Sequence, residues 1–188
     1  MVGLMKLALG DIKLLTTEVM SLTLIVALAV GAKALVNVVE GFTYLGLPSM
    51  WSYFVRAVYN ELKTIAYLWS MSLWFLVVVA TYLVSNYVLR SVVVTYATLT
   101  YLGSSKTFII KLLFIRYMVI ASMTWLVGWS VGLTTAQVVF RFTAYIFGAP
   151  YEVPYLSLGE LVELAVMVYP LVILGSIPAM IKVIRCGF

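Results

Sequence analysis

The chain has 188 residues, 64% of them apolar and 10% charged, with a formal net charge of +5. A mean hydropathy of +1.12 is more than one water-shielded core of this size can hide, so the composition predicts an integral membrane protein. There is no histidine and only one cysteine, Cys186, which removes the usual haem ligand, a thiolate metal site and any intrachain disulfide.

At the N-terminus, Met5, Ala8, Leu9, Ile12 and Leu15 recur at helical spacing, with Lys6, Gly10, Lys13 and Thr17 on other faces. That pattern predicts an amphipathic inner-leaflet helix over 1–19, the alternative being that this stretch extends the first span. The first apolar run, 20–39, carries a small-x-small match at Ala32-Lys33-Ala34, but Asp11, Lys13 and Glu18 interrupt the approach to it. It is read as a retained span and not a cleaved leader, with Lys33 near its outer end as a possible intramembrane ionisable group.

Next, Trp51, Phe54, Val55, Val58, Tyr59 and Leu62 form a second helical stripe after Pro48-Ser49, predicting a short outer interfacial helix. A second span covers 65–89. Residues 90–111 then bring Arg90, Lys106 and Lys111 together with a Gly-Ser-Ser turn, and a third span covers 112–140. Within it, Gly128 and Gly132 stand at the spacing that lets two helix backbones approach closely, within the chain or between copies. The following loop is rich in aromatics, as suits a headgroup belt. The fourth span, 161–181, has Glu160 and Glu163 at its outer start, ordinary first-turn carboxylates or, as a minor alternative, part of an ion pathway with Lys33. Gly175 and Pro178 predict a bend in it.

Eight cations, Lys6, Lys13, Arg90, Lys106, Lys111, Arg116, Lys182 and Arg185, fall on one side of these spans and three on the other. The bias predicts a multi-pass cell-membrane protein with both termini cytoplasmic, those eight cations serving topology and lipid headgroup contact. The cations form no compact cluster, which argues against nucleic acid. No nucleophile with a base, converging carboxylate pair or phosphate-binding glycine loop is visible, so neither an enzyme nor a resident cofactor or metal is expected. The fold expected is therefore all-α, a single membrane domain over 1–188 with four transmembrane helices.

Three stretches, LALGDIKLLTT from Leu7, LTYLGSSKTFI from Leu99 and LGSIPAMIK from Leu174, occur in an order that resembles the FtsX and MacB type of permease, which works with an ATP-binding cassette ATPase. The resemblance implies an ABC transporter permease subunit, in a minimal form with only about 25 residues in place of the large extracytoplasmic domain after the first span. It implies that 90–111 is a cytoplasmic coupling segment docking on the ATPase, with Leu102, Gly103, Ser104, Ser105 and Phe108 as its contact residues. It further implies a homodimer or association with other integral subunits. The competing expectation is an accessory subunit of a larger membrane complex with no transport activity of its own.

Overall fold

A computed structural model describes residues 12–44, 49–147 and 153–186, and among them there are four α-helices and no strand. The helices are α1 (Ile12–Tyr44), α2 (Ser49–Tyr101), α3 (Lys106–Phe147) and α4 (Leu158–Cys186). Each contains a stretch long and apolar enough to cross a membrane: Leu15–Val38, Lys63–Val88, Lys106–Ile146 and Leu158–Val183.

The helices are longer than the expected spans because the helical ladder does not end where hydropathy falls. α2 has 53 residues with neither glycine nor proline, so the polar residues at its ends change what the helix touches without breaking its ladder. At 1.5 Å per residue it is about 80 Å long, against a hydrocarbon core of about 30 Å. The expected outer interfacial helix is thus not a separate element: it is the first part of α2. The segment 90–111 comprises the end of α2, a turn, and the start of α3. Of the expected amphipathic helix over 1–19, residues 1–11, including Lys6, lie outside the described residues, and 12–19 are the first turns of α1. α4 runs unbroken through Pro170 and Pro178.

Contacts along the helices set the bundle's directions. Gly128 of α3 meets Thr23 and Val26 of α1, and Gly132 meets Ala27 and Val30, so α1 and α3 run parallel. Gly175 of α4 meets Val78 and Thr81 of α2, so those two also run together, and the two pairs are antiparallel to each other. α1 packs on α3 and α2, and α4 packs on α2 and α3. Consequently α2 and α3, though consecutive, stand diagonally across the bundle. We term the end where α1 and α3 start the near end, and the opposite one the far end.

The α1–α3 seam is built from small residues. A Cβ on Gly132 would lie 2.9 Å from the Val30 Cβ and against the Ala27 carbonyl, one on Gly128 would lie 2.8 Å from Val26 Cγ1, and one on Gly31 would meet the Gly132 carbonyl at 3.2 Å. The Gly128 and Gly132 spacing is therefore used inside the chain, opposite Ala27 and Gly31. Around this seam the core is apolar, with Leu22, Val26, Val30, Leu112, Ile120, Val168 and Val172 fully enclosed. Large apolar side chains on the outer faces, among them Leu68, Trp69, Phe75 and Leu83 of α2, are exposed, as expected of surfaces that contact lipid.

Candidate functional site

At the near end, α2 continues about 13 residues, or about 20 Å, past Val88 before it turns. The turn is closed on both sides. Ser104 N donates to Leu99 O at 3.0 Å and Gly103 N to Thr100 O at 2.9 Å, with Gly103 at φ 88°, which together make a Schellman cap. Only glycine takes that backbone conformation without strain. One residue later, Ser105 starts α3: its side-chain oxygen accepts from Phe108 N at 3.3 Å, and its carbonyl accepts from Phe108 N and Ile109 N. Gly103 thus ends one helix, Ser105 begins the next, and Ser104 is the only residue between these two devices.

This is where the structure places the expected coupling residues. Tyr101 and Leu102 are 91% and 78% exposed at the tip, Gly103 and Ser105 are exposed, and Ser104 and Phe108 are half-buried. Phe108 packs against the core while Ile109 is inside it, so the tip is anchored to the bundle. Lys106 and Lys111 are exposed on the first turns of α3. Lys182 and Arg185 are exposed on the last turns of α4, at the same end.

Arg116 departs from its expected role at the headgroups. It is 2% exposed, and its Nη2 donates to Oε2 of Glu18 on α1 at 2.6 Å. Glu18 is 2% exposed as well. Two tyrosines enclose the pair: Tyr96 from α2 and Tyr117 from α3, both buried and both close enough to feel the two charges. Tyr96 lies beyond the apolar stretch of α2, and burial pushes its phenol up from the ordinary value, so it stays neutral. Its hydroxyl and Arg116 Nη1 are both buried, and the hydroxyl lies beside the guanidinium. Glu18, Leu22, Thr81, Ser85, Tyr117 and Ile120 surround an interstice too small for a water molecule, so the pair is sealed from solvent on that side. Three helices therefore converge on one charge pair near the membrane edge.

A second polar cluster sits at the far end. Ser157 and Glu160 form a capping box: Ser157 Oγ accepts from Glu160 N at 3.3 Å, and Glu160 Oε2 accepts from Ser157 N at 2.9 Å. The same carboxylate meets the Asn37 amide of α1 at 3.0 and 2.9 Å and the Lys33 ammonium at 3.5 Å. Asn37 also reaches Tyr155 O at 3.1 Å, and Gln137 of α3 reaches Pro154 O at 3.4 Å. Glu160 is thus a cap and a tie between α4 and α1. Glu163 is exposed and lines a groove with Lys33. No continuous file of ionisable residues joins this cluster to Glu18 among the described residues, and no three potential metal ligands of the His, Cys, Asp and Glu types come together there.

The pairing of Glu18 with Arg116 was accessible in principle to sequence reading. Both lie a few residues into apolar segments that enter the membrane from the same side, and an intramembrane charge calls for a partner at its own depth. No protein-family model matches the chain, and no curated protein matches it.

Proposed function

We propose that this chain is a membrane permease subunit of an FtsX/MacB-like system, in which a cytoplasmic ATP-binding cassette ATPase docks on the near end and moves the helices of the bundle. In this reading the near end faces the cytoplasm, as the excess of cations on that side favours.

The observation that carries the proposal is the doubly capped turn. A loop that merely connects two spans can be loose. This one is fixed by a Schellman cap and a serine N-cap, while leaving Tyr101 and Leu102 outward. Exposed aromatic and aliphatic side chains on a rigid tip are suited to a protein partner. A push on that tip travels as a rigid displacement into α2 and α3 together. From α3 it passes to α1 through Arg116 and Glu18 and through the Gly128 and Gly132 seam, and from α2 it passes to α4 at Gly175. In the family arrangement two copies face each other, so the moving element is expected to be a dimer.

Isolation of the tagged chain from its native membranes in mild detergent tests this. A complex containing an ATPase with a Gly-rich phosphate loop is the expected result. Recovery with other integral subunits and no ATPase supports the accessory-subunit alternative instead.

A further inference from the structure

At the far end a groove of about 530 Å³ is lined by residues of α1, α2 and α4. Its volume is within the range of small-molecule sites. We infer that this groove holds one zwitterionic phospholipid of the surrounding leaflet, its headgroup at the charged mouth and an acyl chain along the apolar floor. This goes beyond the proposed coupling to an ATPase and stands without it.

The first argument is the order of residues along the groove. Glu40, Lys63 and Glu163 lie toward the far end, and Lys33 lies about two helical turns further in than Glu40. Deeper still come Trp74 and Leu171, with Trp74 only 8% exposed. From Lys63 to Trp74 along α2 is about 16 Å, about half of the 30 Å hydrocarbon core. The groove is therefore polar at one end, apolar at the other, and one leaflet deep. An amphiphile standing in that leaflet has the same order.

The second argument is charge. Lys63, Glu40 and Glu163 mark the mouth, and further in Lys33 is paired with the Glu160 carboxylate at 3.5 Å. A purely anionic headgroup would meet three carboxylates, Glu40, Glu160 and Glu163, against two lysines, one of them already paired, so it is disfavoured. A headgroup carrying both a phosphate and an amine can satisfy both signs, which is the complementarity that gives selectivity. Lys33 is paired with Glu160 at 3.5 Å, so Lys63 and Glu163 are the lining charges of opposite sign assigned to the phosphate and the amine. Met71 and Met167 on the walls are both exposed, and their flexible thioether side chains adapt to a chain with many conformers.

The test uses the full chain in maltoside micelles, titrated with phosphatidylethanolamine or phosphatidylglycerol carrying brominated acyl chains. Quenching of Trp74 is read as the difference between wild type and Trp74→Phe. Quenching by the zwitterionic lipid is expected at about fivefold lower mole fraction than by the anionic one, and Lys63→Gln or Glu163→Gln should remove that preference. Both substituted residues are exposed, so the fold should survive. Native mass spectrometry of the unaltered chain should show one retained phosphatidylethanolamine per copy. Equal quenching by the two lipids, an unchanged preference in the variants, or a dimer that shields Trp74 and retains no lipid would each overturn the assignment.

Discussion

Arg116 Nη2 lies 2.6 Å from Glu18 Oε2, and the two side chains, 98 residues apart in sequence, are 3% and 2% exposed. The pair joins α1 to α3 within a region where neither charge has water to turn to. Its energetics are therefore asymmetric. Removing one partner leaves an uncompensated charge, whereas removing both leaves an apolar contact.

Glu18→Ala or Arg116→Ala should each cost about 3–5 kcal/mol, while Glu18→Leu combined with Arg116→Met should be near neutral or stabilising. Thermal unfolding in detergent, arranged as a double-mutant cycle, reads the difference. Tyr96→Phe is the contrast: it removes a neutral hydroxyl beside Arg116 and leaves both charges of the pair in place, so it should cost about 1 kcal/mol, less than either charge deletion. Single variants as stable as wild type would show that the pair carries no structural load.

The α1–α3 seam predicts an order among glycine substitutions. At Gly132 the obstacle includes the Ala27 carbonyl, which cannot rotate away, whereas at Gly128 it is the Val26 side chain. Gly132→Ala should therefore destabilise more than Gly128→Ala, with overpacking costs of about 1–3 kcal/mol. Gly159, around which nothing lies within 4 Å, should tolerate alanine. Melting temperatures of the three variants decide the order, and equal losses at Gly128 and Gly159 would contradict it.

The capping box at the start of α4 should contribute like other N-caps. Ser157→Ala is expected to cost about 1 kcal/mol. Asn37→Leu should cost more than Ser157→Ala, because Glu160 would keep its cap but lose the amide that ties it to α1. Hydrogen exchange at the first turn of α4 should accelerate in the first variant. In the second, it is the α1–α4 contact that should loosen.

Much of this was legible in the sequence. Four apolar runs of sufficient length identify the four helices, and Gly128 with Gly132 identifies a close seam, because hydropathy and small-residue spacing are local properties. Helix length was not legible from hydropathy, since α2 crosses from lipid into polar surroundings without any residue that breaks it. The fate of Arg116 was misread for a related reason: counting cations by loop treats each as an independent topological marker, yet Arg116 and Glu18 sit at one depth on neighbouring helices. The capping box at Ser157 and Glu160 was in plain view as Ser-x-x-Glu ahead of an apolar run. Pro170, by contrast, sits inside α4, where the rule that proline breaks a helix would have ended it too early.

The proposal that the near-end turn takes the push of an ATPase is tested most directly at Gly103. Its φ of 88° makes any side chain cost about 1–2 kcal/mol in backbone strain, but nothing stands within 4 Å of the position. Gly103→Ala and Gly103→Trp therefore share the strain and differ in bulk on the exposed tip. The measurement is the ATP hydrolysis rate of the isolated complex and its change when each variant replaces the wild-type chain. The coupling reading predicts that Gly103→Ala retains most of the chain-dependent response and Gly103→Trp abolishes it while the fold persists. Identical behaviour of both variants, or the absence of any ATPase in the isolated complex, would contradict it.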